Sequence, residues 1–175
     1  MKPVSEQTAL VQLTRMSDAL RTRVARDYEY RAKSCATCET RGACCLDAHF
    51  VNVRISKLEA RLISASLRTL SEHHQLSVWK RIDDAIARFQ LSAPDGGRDQ
   101  KFACPLFEPQ VGCLVHARGK PVPCVMHGCY EDQSHLPPDE LANEAELSID
   151  RLNARVYGRQ QPILPLPVAL REWGW

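Results

Sequence analysis

Hydrophobic positions repeat at helical spacing in four stretches of the chain. In the first stretch Leu10, Leu13, Leu20 and Val24 lie on one stripe with Met16 beside it, and the arginines fall mostly off that stripe. Spacing of three and four residues between apolar positions is typical of an amphipathic helix. The four stretches predict helices over residues 5–33, 56–70, 73–91 and 138–157.

The later helices carry their own start and stop signals. Ser56 and Glu59 have the spacing of a capping box, in which each side chain accepts from the other residue's amide. Pro137, Pro138 and the acids after them suit a first turn, and Gly158 suits a helix end. The predicted buried faces are Leu58, Leu62, Ala65 and Thr69 with Ile63 and Leu70 flanking, then Val78, Trp79, Ile82, Ile86 and Phe89, then Leu141, Ala145, Ile149, Leu152 and Val156.

The segments between these helices predict little regular structure. The alternation His49–Ile55 is rich in β-branched residues and predicts a short strand. Prolines and glycines over residues 101–130 predict short elements there, and the proline-rich tail that ends in Trp173 and Trp175 is predicted to be extended. For these tryptophans, packing onto the domain is favoured over a role as a partner anchor. The pattern therefore predicts a mainly α fold: one small helical domain over residues 1–175, with a few short strands and a cysteine-rich lobe.

Composition narrows the class of protein. The chain has 175 residues, 44% of them hydrophobic, and a net charge of only +2, which argues against nucleic-acid binding. Mean hydropathy is −0.33, and no apolar run is long enough to span a bilayer. The N-terminus lacks the apolar segment of a secretory signal, so we expect a cytoplasmic protein.

Eight cysteines form two groups in the sequence. In a reducing compartment they favour metal ligation over disulfides, over unmetallated buried thiols and over a redox pair. A C-x2-C pair can direct two thiolates from one tight loop at the same metal, and two groups far apart in sequence can close one split site. Zinc needs four ligands and a 4Fe–4S cluster needs one thiolate per iron, so eight cysteines exceed either requirement. The candidate ligands are Cys35, Cys38, Cys44 and Cys45 in the first group and Cys104, Cys113, Cys124 and Cys129 in the second.

The motifs around these cysteines resemble a known family. Cys35-x-x-Cys38, Gly42-Ala43-Cys44-Cys45, Cys104-Pro105-Leu106, Gly112-Cys113, His116-Ala117-Arg118 and Cys124 are similar to the YkgJ-type cysteine-cluster family, which is described as a zinc- or iron-chelating domain. The resemblance covers about residues 35–130 and implies metal binding by the first seven cysteines, while Cys129 is added from its spacing to Cys124. This chain departs from the family pattern in the five residues, 39–43, that precede the double cysteine.

The sequence leaves the metal and the role open. Split spacing and surplus thiols favour an iron–sulphur cluster over zinc, since a zinc ribbon would use two C-x2-C knuckles and only one is present. His49, His116 and His127 could each replace a thiolate, although a polar supporting role is favoured. The hypotheses are a cluster-binding protein in electron transfer, metal handling or support of an enzyme, a metalloenzyme with an open metal position, and a zinc-stabilised module that binds a protein partner through its tryptophan tail or the acidic stretch 131–150.

Overall fold

The computed structural model describes residues 2–34, 38–39, 42–46, 53–92, 101–158 and 161–174. Within these ranges the fold is mainly helical, as the sequence predicts, and its strands form two-stranded antiparallel sheets. The helices are α1 (Glu6–Asp27), α2 (Lys57–Leu67), α3 (Glu72–Phe89), α4 (Val122–Met126), α5 (Asp139–Tyr157) and α6 (Leu166–Trp173). The strands are β1 (Ala32–Lys33), β2 (Arg54–Ile55), β3 (Phe107–Glu108), β4 (Gly112–Cys113), β5 (Cys129–Tyr130) and β6 (Leu164–Pro165), paired as β1–β5, β2–β6 and β3–β4.

Helix α2 is shared by two hydrophobic clusters. Leu58 and Leu62 pack with α1, α4 and α5, whereas Ile63 and Leu67 on another face pack with α3 and α6. The prediction for α2 is confirmed at Leu58 and Leu62. It is wrong at Thr69, which is exposed because the helix ends at Leu67.

Serine side chains start three of the helices. Ser5 accepts from the amide of Thr8, and Ser71 accepts from that of His74. Ser56 accepts from the Glu59 amide while the Glu59 carboxylate accepts from the Ser56 amide, so the predicted capping box is confirmed. Each cap satisfies an amide that the first helical turn leaves without a partner.

The first helix is shorter than its predicted span of residues 5–33. It ends at Asp27, and the chain then makes a 3₁₀ turn and enters β1. Strand pairing competes with the helix here, because Ala32 and Lys33 pair with Tyr130 and Cys129, and the Lys33 ammonium lies 2.8 Å from the Glu131 carboxylate. A non-local contact that the helical pattern cannot reveal therefore sets this helix end.

The predicted extended tail is also wrong. Its last prolines start α6 instead, with Pro165 at the N-cap and Pro167 inside the first turn, positions where a proline's missing amide is tolerated. Helix α6 is buried from Leu166 to Leu170 and packs on α2 and α3. Trp173 packs against the same cluster, as expected, and Trp175 lies outside the described residues.

The remaining predicted elements are found close to their predicted bounds. α3 and α5 match their predicted helices, and Gly158 ends α5 in the left-handed conformation at φ 70°. The end of the predicted strand forms β2, while its first residues, 49–52, lie outside the described ranges. Elements over residues 101–130 are short, as predicted. None of the described helices is both long enough and apolar enough to cross a membrane.

Candidate metal centre

Three separate segments bring five cysteines together beside the hydrophobic cluster of α2, α3 and α6. Cys44 and Cys45 lie on a 3₁₀ turn, Ala43–Cys45. Cys104 precedes β3, Cys113 lies in β4 and Cys124 lies in α4, and all three pack against that cluster. Each of the five is partly buried and none forms a disulfide. The two cysteine groups of the sequence therefore meet in space.

Backbone hydrogen bonds fix these segments to one another. The amide of Cys104 donates to the carbonyl of Cys45 at 2.9 Å, which joins the first group to the second. The β3–β4 hairpin places Cys113 in register with Phe107 and is extended by the Leu114 amide, which donates to the Leu106 carbonyl at 2.9 Å. The positions of three of the cysteines thus follow from main-chain geometry.

Gly42 gives the double-cysteine turn its shape. It starts the turn in the left-handed conformation, at φ 78°, which favours glycine. A Cβ atom at this position would overlap the ring of Phe107. The turn that carries Cys44 and Cys45 therefore lies directly against the residue that pairs with Cys113.

Burial keeps three of the thiols neutral in the absence of a cation. It raises the pKa of Cys104 to about 12 and also raises the pKa values of Cys113 and Cys124. Each of these pKa values is raised further by charge on neighbouring cysteines, and the interactions link every pair among Cys44, Cys104, Cys113 and Cys124. These side chains can therefore lose their protons together only if positive charge compensates them, and a metal centre supplies that charge.

Backbone amides are directed at two of the sulphur atoms. The amides of Leu106 and Phe107 stabilise the thiolate of Cys104, and the amide of Val115 stabilises that of Cys113, so each opposes the effect of burial on the pKa. Both arrangements arise because the chain turns back immediately after the cysteine. Amide hydrogen bonds to sulphur support thiolate ligands and tune the potential of iron–sulphur clusters.

Cys44 and Cys45 behave as an unequal pair. Their sulphur atoms lie 3.9 Å apart. The hydrogen bond from Cys45, followed by one from His127, lowers the pKa of Cys44 to about 4. The same hydrogen bond, together with burial, raises the pKa of Cys45. These surroundings favour the thiolate at Cys44 over that at Cys45.

The other predicted candidates lie in different surroundings. Cys35 and His49 fall outside the described residues, and Cys38 is partly buried. Cys129 is exposed on β5, in register with Lys33. Among the described ranges, no three His, Cys, Asp or Glu side chains are arranged as a preformed ion site.

Two of the histidines considered as ligands have different positions. His127 lies at the end of α4 beside Cys44, to which it donates a hydrogen bond. His116 is exposed, and its amide donates to the Cys113 carbonyl at 3.1 Å. The arrangement gives His127 a supporting role at the thiolate of Cys44.

Sequence reasoning missed three residues that shape this site. Gly42 and Phe107 set the distance between the two cysteine groups, and the Lys120 ammonium lowers the pKa values of Cys113 and Cys124 against the larger effect of burial. The only sequence signal was Gly42 itself, two residues before Cys44, which the cysteine motif contains but to which the sequence assigned no role. Comparisons of this chain with protein-family models, with curated proteins and with solved structures find no match.

Proposed function

We propose that the chain is a metal-binding protein that holds an iron–sulphur cluster, of the 4Fe–4S type, on cysteines from both groups. The observation that carries this proposal is the convergence of five partly buried thiols from three segments in one apolar lobe. The resemblance of the cysteine motifs to the YkgJ-type family supports the same conclusion. The protein would act in electron transfer, in metal handling or in support of an enzyme.

The donor chemistry fits such a group. Cys44, Cys104, Cys113 and Cys124 interact pairwise and would supply one thiolate per iron. Cys45 would remain a thiol that donates to Cys44, whose sulphur lies 3.9 Å away. When bound, a cluster of this type supplies one-electron chemistry.

Residues of this chain would control the environment of the four thiolates. The amides of Leu106, Phe107 and Val115 donate to sulphur, and Lys120 adds a positive charge near Cys113 and Cys124. The surrounding cluster of apolar side chains limits access of water to Cys104, Cys113 and Cys124. A low dielectric and few donors favour the less charged oxidation state, whereas amides and Lys120 favour the more negative one.

Anaerobic purification followed by a visible spectrum and metal analysis tests the proposal. We expect a brown protein with a broad absorption band in the violet region and stoichiometric iron and acid-labile sulphide. A colourless protein that retains one zinc per chain under the same handling would replace the cluster with the zinc alternative. A protein that holds neither metal would overturn both.

A further inference from the structure

A cleft of about 360 Å³ opens between the second half of α1 and the segment that carries His116 and Lys120. Arg21 and Asp18 of α1 line it, together with Glu29 from the turn that follows the helix. Such a volume accommodates a small molecule. Val24 and Val125 of the hydrophobic cluster around α1 line part of the cleft. The cleft also brings three basic side chains, Arg21, His116 and Lys120, to one concave surface.

Arg21 is fixed in the wall of the cleft by a hydrogen bond to the loop opposite. The guanidinium of Arg21 donates through Nη1 to the carbonyl of Ala117 at 2.6 Å, and this contact ties α1 to the loop beside His116. An arginine has further N–H donors that this contact does not use. Asp18 lies 3.8 Å from the same nitrogen, so its carboxylate faces Arg21.

The electrostatic field at His116 is positive on balance. Burial lowers the pKa of its imidazole, and the neighbouring Lys120 and Arg21 lower it further, whereas Glu29 opposes them with a smaller effect. An anion placed among these side chains would relieve the repulsion between Arg21 and Lys120 and would oppose their effect on the pKa of His116. Because Asp18 and Glu29 line the same cleft, selectivity for an anion must come from the directed donors and not from net charge.

The cleft adjoins the cysteine group through two of its residues. Lys120 interacts electrostatically with Cys113 and Cys124, and Val125 lines the cleft directly after Cys124 in α4. A ligand in the cleft would therefore lie next to the proposed metal centre. This adjacency rests on the proposed function, whereas the cleft and its basic side chains do not.

We propose that this cleft binds a compact oxyanion, the carboxylate or phosphate group of a small molecule, through Arg21, His116 and Lys120. Charge-assisted hydrogen bonds from a guanidinium and an ammonium are the usual means of holding such groups. Bound there, the anion adds negative charge beside Cys113 and Cys124. It would thus shift the potential of the centre to lower values.

Calorimetric titration of the anaerobically purified protein with inorganic phosphate and with acetate, at constant ionic strength, tests this site. We expect saturable binding of at least one anion, and the tighter of the two identifies the ligand group. Lys120→Gln should weaken it about tenfold, since one charge-assisted hydrogen bond is lost. Arg23→Gln is the matched control, because Arg23 is exposed on the same helix and does not line the cleft.

Circular dichroism confirms that each variant is folded, and the metal content of each is measured first. Absence of saturable binding of either anion, or equal weakening in the Lys120 and Arg23 variants, would overturn the oxyanion site. Phosphate binding that depends on Lys120 in a chain without metal would keep the site and remove the proposed function. A metal-loaded chain that binds neither anion would support the proposed function and overturn the oxyanion site.

Discussion

The amide of Cys104 donates to the carbonyl of Cys45, with 2.9 Å between nitrogen and oxygen. This single bond joins residues that the sequence places in separate groups. The amides of Leu106 and Phe107, which follow in the next turn, are directed at the sulphur of the same cysteine. Cys104 therefore both joins the two cysteine groups through its backbone and is one of the four proposed ligands.

Replacing Cys104 with serine should remove most of the bound metal. The change keeps the backbone bond to Cys45 but deletes a thiolate from the buried set, and a hydroxyl is a poor substitute for the soft ligand that iron or zinc prefers. Cys129→Ser is the comparison, because Cys129 is exposed on β5 and opposite Lys33. We expect it to retain nearly all of its metal.

Metal per chain, measured after anaerobic desalting, distinguishes the two variants. Equal metal content in the Cys104 and Cys129 variants and the unaltered protein would remove Cys104 from the ligand set. Loss in the Cys129 variant alone would move the centre towards β5 and the first cysteine pair.

Local sequence patterns predicted the helices well where their ends depend on nearby residues. The capping box at Ser56 and Glu59 and the glycine end of α5 at Gly158 are decided within one or two turns, so both were correct. The end of α1 was wrong because the pairing of β1 with β5 competes with the helix from a distant part of the chain. The prediction for α6 was also wrong. Its prolines suggested that no helix forms, but they lie at the N-cap and in the first turn, where proline is tolerated.

For the candidate site, too, the sequence predicted some features and not others. Its candidate residues were evident, since composition and spacing alone made eight cysteines in two groups the predicted metal ligands. Their relative positions were not, because the overlap between Gly42 and a ring at Phe107 and the bond between Cys45 and Cys104 are long-range contacts. Such contacts leave no periodic signal in a single sequence.

Gly42→Ala should destabilise the protein and reduce its metal content together. Alanine in the left-handed conformation costs about 1–2 kcal/mol, and a Cβ that overlaps the Phe107 ring adds about 1–3 kcal/mol of overpacking. Relief of this clash moves the turn that carries Cys44 and Cys45. Urea denaturation and metal analysis of the same preparation measure both effects.

Gly158→Ala provides the matched control for that variant. Gly158 also has a positive φ, of 70°, but a Cβ there would meet nothing within 4 Å, and it ends α5 away from the cysteines. We expect a loss of about 1 kcal/mol in stability, from the backbone conformation alone, and unchanged metal content. Similar losses of metal in both variants would show that Gly42 acts through general stability.

Asn153→Ala should lower the free energy of unfolding by about 1–3 kcal/mol. Asn153 is fully buried in α5, and its Oδ1 accepts from the amide of Leu58 at 3.0 Å. That amide lies in the first turn of α2, where no helical carbonyl can reach it, so its loss of a partner leaves a buried donor unsatisfied. Asn143→Ala, on the same helix but exposed, should change stability by less than about 0.5 kcal/mol. Chemical denaturation measures both, and equal effects would contradict the capping role.

Glu6→Gln tests a polar contact that ties the start of α1 to α2 and α5. One carboxylate oxygen of Glu6 accepts from Arg61 Nε at 2.9 Å and the other from the Tyr157 hydroxyl at 3.0 Å. Burial opposes ionisation of Glu6, but these hydrogen bonds and the charge of Arg61 outweigh it, so the pKa of Glu6 lies below its usual value of 4.5. The carboxylate therefore stabilises the fold above pH 4.5, and this contribution is lost as the pH falls through the lowered pKa.

The expected stability difference between the unaltered protein and Glu6→Gln is about 0.5–1 kcal/mol at neutral pH, since solvent screens this partly exposed carboxylate. Glutamine can accept from Arg61 Nε through its one carbonyl oxygen, while its amide group can donate to the Tyr157 hydroxyl, which then accepts. The substitution therefore removes the charge and reverses the direction of the Tyr157 contact. The difference should shrink as the pH falls through the lowered pKa of Glu6, because the carboxylate is then protonated. Only the difference is informative, because burial raises the pKa of Glu59, whose own contribution to stability changes with acid in the opposite sense. Asp84→Asn, which removes the exposed partner of Lys80, should show almost no difference at any pH. A Glu6→Gln difference that stays constant from neutral to acid pH would mean that the carboxylate charge does not stabilise this contact.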